Sequence, residues 1–384
     1  MRPRLRRSAP VLAGAVLAAL ALTGGAPARA HAPGAASDDA APPPSLFGVN
    51  TGTYDNDNAR LARDTPTAAS MGARWVHFTG GSVSFVHGKP SFAGLDRAVD
   101  QARNHRLGVL LSLGGVPAAC SLVPRPSDVV HCPPTSAADL VAYDAYLKRM
   151  LLHFRGRVSY FESWVEPNHV SMWPPAPDPS AYATLLESEY AVVQQVNAQY
   201  GLHDQLLFAS IGGSDLGYLD QVLTALGGRK AFDIVGDHPY RFPPDDPATP
   251  NYAISYPGGG HPKLTWTEEL VDYEAQFTSH GYGTPPVWLT EFGWPGANGP
   301  DGCGGATSTE ADQASFLRSA YALLSTDPQL SFVKAAFWFN LRDYATGVAN
   351  PDPACFAHYG LLNTNFSPKP AGLAFEQLAK SASG

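Results

Sequence analysis

Eight times along this chain a short apolar run is followed by an amphipathic segment, and that repetition is what most limits the fold. The runs Ser45–Asn50, Arg74–Thr79, Leu107–Leu113, Val158–Glu166, Gln205–Ile211, Phe232–Tyr240, Val287–Glu291 and Lys334–Asn340 read as strands. The segments Ala59–Met71, Ala93–Asn104, Ala137–Phe154, Ser180–Tyr200, Tyr218–Leu226, Thr267–His280, Thr309–Ser325 and Ala371–Lys380 read as helices. Leu107–Leu113 is nearly all apolar, as a strand covered on both faces must be. In Ala137–Phe154, Leu140, Tyr143, Leu147 and Leu151 recur at helical spacing. Ser180 or Asp178 suits the start of the fourth helix, and Gly227-Gly228 the end of the fifth. Eight strand–helix units in succession predict a single (β/α)8 barrel. A doubly wound sheet would bring a Gly-rich nucleotide turn, and neither G-x-G-x-x-G nor G-x-x-x-x-G-K-[ST] occurs. The segments after the strands are long: Gly114–Ser136, Arg241–Trp266, Trp294–Ser308 and Asp343–Tyr359. In a barrel they would build a deep cleft over the carboxyl ends of the strands, where barrel enzymes keep their chemistry.

The amino terminus reads as a targeting segment. Arg2, Arg4, Arg6 and Arg7 precede the apolar run Val11–Leu22, which is too short to span a bilayer comfortably, and Ala28-Arg29-Ala30 offers a cleavage site. Residues 1–30 are therefore expected to be a secretory signal peptide, 31–44 an Ala/Pro/Gly-rich disordered linker, and 45–384 one catalytic domain. The expected product is a secreted monomer that leaves the membrane once the signal is cut. A formal net charge of −8 gives no electrostatic case for nucleic acid as a partner. Cys120, Cys132, Cys303 and Cys355 make an even number, which in an exported chain suggests two disulfides. Of three pairings, Cys120–Cys132 and Cys303–Cys355 are preferred, since the second joins the loops after the last two strands, which are neighbours in a closed barrel. No C-x-x-C spacing and no His at ligand distance argues for a metal.

Two of the strands end on a carboxylate. V-S-Y-F-E-S-W-V-E-P-N carries Glu166 just before Pro167, which cannot continue a ladder. P-V-W-L-T-E-F-G-W-P carries Glu291 in the seventh strand. Both would face one cleft. Two carboxylates flanking a sugar divide the roles of acid and nucleophile, and no cofactor is required. Trp164, Trp173, Trp294 and Trp338 would supply an apolar, stacking cleft wall. Glu162 shares the parity of Glu166 and is expected to be a buried structural partner, of an Arg for example. Asp237 and Asp343 are secondary candidates for a catalytic acid. Asn168 and Asn340 could bond either sugar or backbone.

At these residues the sequence resembles a known group. F-E-S-W-V-E-P-N looks like the F-E-x-W-N-E-P-N of family 39 and related clan A retaining glycoside hydrolases, T-E-F-G-W resembles the clan's nucleophile strand, and H-P-Y at His238–Tyr240 is similar to a sixth-strand motif of several of its families. The resemblance implies Glu166 as general acid/base, Glu291 as nucleophile, Tyr240 as a hydrogen-bond partner of the nucleophile and Trp338 as a sugar platform. Trp164, Asn168, Trp173, His238 and Trp294 complete the expected substrate-binding set, with a polysaccharide or oligosaccharide as substrate. One departure stands out: Val165 occupies the position where the clan carries Asn, which bonds the sugar's 2-hydroxyl. That departure keeps open a carbohydrate-binding barrel with impaired catalysis, and a transglycosylase, which would share every residue named, is a third alternative.

Overall fold

The computed structural model describes residues 45–51, 58–78, 84–86, 89–113, 132–242, 244–249, 264–297, 308–344 and 354–382. Eight parallel strands close into a barrel. In chain order the strands are β1 (Phe47–Thr51), β2 (Trp75–Phe78), β5 (Gly108–Ser112), β6 (Tyr160–Glu162), β7 (Gln205–Gly212), β8 (Ile234–His238), β9 (Val287–Phe292) and β10 (Val333–Trp338), with β10 returning to pair with β1. The numbers β3 (Ser84–Val86) and β4 (Lys89–Ser91) belong to a small antiparallel hairpin outside the barrel, which the sequence pattern did not suggest. The helices are α1 (Asn58–Ser70), α2 (Ala93–Asn104), α3 (Ala137–Phe154), α4 (Pro179–Tyr200), α5 (Leu216–Leu226), α6 (Trp266–Ser279), α7 (Glu310–Thr326) and α8 (Pro370–Ser381). The expected (β/α)8 barrel is the fold observed.

The helix boundaries follow from local chemistry. Ser136 with Asp139, Thr265 with Glu268 and Thr309 with Asp312 form capping boxes at the starts of α3, α6 and α7. Asp178 caps α4 by accepting from the Ala181 amide, with Pro179 at the first helical position. Gly201 and Gly227 end α4 and α5 in the left-handed conformation.

Three layers of side chains organise the interior. Trp75, Leu110, Leu207, Ile234, Trp288, Ala335 and Phe337 fill the barrel towards the amino ends of its strands. Above them the inward positions turn polar: His77, Ser112, Glu162, Ser210 and Thr290 are all fully buried. The main apolar core lies between sheet and helices. Tyr240, Phe339, Cys355, Phe356 and Tyr359 form a separate aromatic cluster in the segments that follow β8 and β10. A register shift between Phe208 and Ile211 of β7 accompanies the inward turn of Ser210. It requires a glycine opposite: a Cβ on Gly236 would meet Ser210 Oγ at 2.5 Å and the Phe208 carbonyl at 2.8 Å.

The expected signal peptide and linker, the Gly114–Cys120 stretch and Cys303 lie outside the described residues. Cys132 and Cys355 are each disulfide-bonded. Among the described residues no helix is long and apolar enough to cross a membrane.

Candidate active site

Glu166 is placed by an irregular exit from β6. Regular pairing stops at Glu162, Val165 makes one isolated bridge to Ser210, and the Glu166 amide donates to the Ser210 carbonyl at 2.9 Å. Glu166 then takes a left-handed φ of 44°, a conformation that costs a non-glycine residue roughly 1–3 kcal/mol and clusters at functional sites. Its carboxylate lies against Gly212 at the end of β7, where a Cβ would stand 2.9 Å from Glu166 Cδ. Glu291 stands near the end of β9. Both carboxylates are 7% exposed, so each retains a small opening to solvent.

His238, at the end of β8 and wholly buried, joins the two. Its Nδ1 is 2.8 Å from Glu166 Oε1 and 3.8 Å from Glu291 Oε2. Those two oxygens are therefore at most about 6.6 Å apart, the sum of the two distances. The Tyr240 hydroxyl donates to Glu291 Oε2 at 3.0 Å. Burial by itself would lower the imidazole's affinity for a proton. The charge of Glu291, the bond and charge of Glu166, and the charge of Glu162 overcome it and raise His238 to about 9. Burial raises Glu291 to about 7, opposed by the positive charge of His238 and assisted by the like charge of Glu166. The site thus keeps protons through neutrality.

Beneath this trio lies a hydrogen-bonded floor that the sequence reading did not assemble. Glu162 accepts from Ser112 at Oε2, and from Ser210 and Thr290 (2.8 Å) at Oε1. His77 Nε2 is 3.2 Å from its carboxylate. Burial alone would raise Glu162, but the bond and charge of His77, the charge of His238 and the bond from Ser112 hold it at about 2. Glu162 is a buried structural partner as expected, although its partners are histidine and hydroxyls rather than an Arg. Its signal was present in the sequence: His77, Ser112, Glu162, His238 and Thr290 are polar residues at or near the carboxyl ends of otherwise apolar strands.

The structure corrects the expected aromatic platforms. Trp164, Trp173, Trp294 and Trp338 are each 2% exposed or less and belong to the core between barrel and helices. Trp164 and Trp173 pack on each other, and the Trp164 indole donates to the Met172 carbonyl. Trp338 packs against Phe292 and Trp294, and its indole donates to the Tyr359 carbonyl. The reason is strand parity: Ala335 and Phe337 belong to the cluster inside the barrel, so Ala336 and Trp338 point out to the core under the helices. Trp164 does not follow the alternation of β6, because the strand ends at Glu162. The aromatic residue bonded to Glu291 is instead Tyr240, which packs on Phe339, Phe356 and Tyr359.

Asn168 is also withdrawn from the sugar-binding set, because its side-chain amide bonds the Gly212 carbonyl at 2.9 Å and the Gly212 amide at 3.0 Å. The secondary acids are engaged elsewhere. Asp237 is fully buried and accepts from Ser214, and Asp343 forms an ion pair with Lys369 at 3.1 Å. Asn340 is 7% exposed and its Oδ1 is without a hydrogen-bond partner. Val165 is half-buried and lies outside the apolar clusters. Among the described residues no group of three or more His, Cys, Asp and Glu could hold a metal ion.

The barrel fold is shared with solved glycoside hydrolases. A family 39 glycoside hydrolase from the gut symbiont Bacteroides cellulosilyticus superposes with a TM-score of 0.64 at 22% identity, over 87% of this chain and 63% of that one. A monomeric β-xylosidase from Caulobacter crescentus gives 0.60 at 17% identity, over 87% of this chain and 68% of the other. A family 5 glycoside hydrolase from Bifidobacterium longum, solved with Manβ1-4GlcNAc, gives 0.60 at 16% identity, over 88% and 78%. At such identities the likeness is one of fold, and this chain spans less than two-thirds of the length of the first of them. No protein-family model matches the chain, and no curated protein matches it in sequence.

Proposed function

We propose that this protein is a retaining β-glycoside hydrolase acting on an oligosaccharide or polysaccharide. The observation that carries the reading is the placement of Glu166 and Glu291 about one imidazole, with nearest oxygens no more than about 6.6 Å apart. Retaining enzymes hold their carboxyl groups roughly 5–5.5 Å apart and inverting enzymes about 6.5–9.5 Å, so a bound of about 6.6 Å includes the retaining spacing and leaves only the shortest inverting ones. Glu291 receives the Tyr240 hydroxyl, a donor that steadies a carboxylate in line for attack on the anomeric carbon. Glu166 gives its proton to the leaving oxygen as the glycosyl–Glu291 ester forms. It then takes a proton from water as that ester is hydrolysed. Because Glu291 must be ionised to attack, the acid limb of kcat/KM belongs near its raised value of about 7.

The reading extends to the whole chain as an exported monomer. Supporting it are the basic, apolar and small-residue succession of residues 1–30 and the absence of free cysteines among the described residues. With Cys132 and Cys355 both disulfide-bonded, the pairs Cys120–Cys132 and Cys303–Cys355 would each fasten loops of the cleft. Val165 favours keeping the carbohydrate-binding barrel as second reading, since valine cannot bond a sugar hydroxyl.

One experiment decides between them. Wild type and Glu291→Gln are incubated with a panel of aryl β-glycosides and glycans that includes xylosides and mannosides, and the anomer first released is read by proton NMR. The expected outcome is turnover with retained configuration, lost in Glu291→Gln. Binding without turnover across the panel would favour the second reading, and an inverted first product would remove Glu291 from the role of nucleophile.

A further inference from the structure

Hydrogen-bond polarity fixes where the protons stand on His238. Thr290 has one hydroxyl hydrogen, and it is directed to Glu162 Oε1 at 2.8 Å. Its oxygen is then only an acceptor towards His238 Nε2, 3.1 Å away. Ser210 Oγ also meets Thr290 Oγ1, where either atom could donate; with the Ser210 hydrogen given to Glu162 Oε1, the Thr290 hydrogen goes to Glu162 or to Ser210, and in both arrangements the Thr290 oxygen accepts from His238. Glu162 itself is surrounded by donors. Ser112 donates to its second oxygen, beside His77, whose other ring nitrogen meets the Thr290 carbonyl at 3.2 Å. A protonated Glu162 would have to turn one of these donors round. Ionised, it satisfies all of them and keeps the Thr290 oxygen an acceptor towards His238.

We propose that Glu162 is a positioning residue for the reaction: acting through the Thr290 hydroxyl, it keeps a hydrogen on Nε2 of His238 and leaves Nδ1 as the atom that shares a proton with Glu166. The inference rests on the roles given above to Glu166 and Glu291. When Glu166 passes its proton to the leaving oxygen, a new carboxylate appears 2.8 Å from Nδ1. An imidazolium at that distance, held in place from its far side, stabilises the carboxylate until water returns a proton to it. His238 loses no proton over the cycle, so acid and products balance. The charged groups facing the ring are Glu162 and Glu166 from the β6 segment and Glu291 from β9. His77 of β2 acts on Glu162 and Glu291, and Asp237 adjoins His238 on its own strand.

The test combines a substrate-free spectrum with a pH profile. Protein labelled with 15N-histidine reports which ring nitrogens carry hydrogen, and His238→Gln identifies the signal. In wild type, Nε2 is expected to remain protonated from about pH 6 to about pH 8, below the raised value of His238. In Glu162→Gln, whose amide donates towards Thr290, and in Thr290→Val, which removes the relay while keeping its volume, that pattern is expected to be lost. The alkaline limb of kcat/KM is expected to move down by about one pH unit or more, a loss of about tenfold at fixed pH on that limb. Thr290→Ser, which restores the hydroxyl, is expected to restore both readings. If Glu162→Gln does not fold, Thr290→Val against Thr290→Ser carries the comparison. A wild-type 15N pattern in Thr290→Val would overturn the proposal whatever the turnover. Because the spectrum is taken without substrate, that result is distinct from a failure of the hydrolase reading.

Discussion

At the scale of single residues, the proposed roles of Glu166 and Glu291 separate side chains that would touch the reacting centre from those that would hold them. Tyr240 is in the first group. Tyr240→Phe removes the 3.0 Å donor to Glu291 and leaves the aromatic packing with Phe339 and Tyr359 in place. A hydrogen bond to a charged group contributes about 1.5–3 kcal/mol, so kcat/KM is expected to fall on the order of 10- to 100-fold with little change in Tm. Equal kinetics in the two proteins would show that Tyr240 does not support the nucleophile. Glu166→Ala is expected to retain turnover of substrates with good leaving groups and to yield a retained glycosyl azide when azide is supplied. An unchanged rate on poor leaving groups would take the acid role from Glu166. Val165 poses a question of specificity. A site with a bonding partner penalises a sugar that lacks it, and an apolar wall tolerates an altered 2-position. Val165→Asn is therefore expected to shift relative kcat/KM towards gluco over manno substrates by roughly 1–3 kcal/mol. If wild type already prefers gluco substrates and the substitution changes nothing, Val165 is neutral.

At the scale of elements, the carboxyl end of β7 shapes the acid's pocket although it contributes no carboxylate. Gly212 meets the Asn168 amide with both its backbone groups and lies under the Glu166 carboxyl. Gly212→Ala would drive a Cβ to 2.9 Å from Glu166 Cδ, and the side chain must move away. The expected result is a fall in kcat of about 100-fold, the cost of a misplacement of about 1 Å, with KM and Tm little altered. A crystal structure of the variant with Glu166 undisplaced would contradict it. The elements themselves were legible in the sequence wherever periodicity decides. The ranges of α2 and α3 agree to the residue with the apolar spacing, and Asp178, Gly201 and Gly227 set ends that turn chemistry alone foretells. What escaped was register. The early end of β6 and the irregular pairing of β7 with β8 decide that Trp164 faces the helices while Ser210 faces the barrel. The end of β6 has no Gly or Pro to announce it at Glu162, and the break in β7 is marked only by Gly236 on the neighbouring strand. The two carboxylates and Tyr240 were readable because strand ends are marked by Pro167 and by the H-P-Y turn. The polar residues of the floor beneath them could be seen in the sequence but not their assembly, since His77, Ser112, Glu162, Ser210 and Thr290 come from five strands and only closure of the barrel brings them together.

At the scale of the whole molecule, buried titratable groups set an asymmetric response to pH. Glu162, held at about 2 against an ordinary 4.5, contributes stability that is present above about pH 4.5 and is lost as pH falls through about 2. His238, raised from 6.5 to about 9, contributes stability that is complete below pH 6.5 and is lost as pH rises through about 9. Buried carboxyls add to the alkaline side, and burial raises Asp144, Asp237 and Asp343 as well as three glutamates. Burial raises Glu269 on α6 and Glu291 on β9 to about 7 and Glu189 on α4 to about 8. For each, the folded protein keeps a proton that the unfolded chain releases near 4.5, so folding binds protons and weakens as pH rises between the two values. Stability is therefore expected to peak near about pH 4.5–5 and to decline towards pH 9, a trend that calorimetric scans across this range would reverse if burial of these carboxyls were relieved by water. Glu189 tests the cause apart from the site. It accepts from Tyr143 at 2.8 Å and from Ser163, tying α3 and the β6 exit to α4. Glu189→Gln preserves the carbonyl acceptor and has no proton to lose. Relative to wild type its unfolding free energy in urea is expected to gain about 1.4 kcal/mol per pH unit between about pH 5 and about pH 8. Parallel pH dependences for the two proteins would mean that Glu189 is already ionised in the fold, and the alkaline decline would then belong to the other raised groups, Glu269, Glu291, His238 and the buried aspartates led by Asp237.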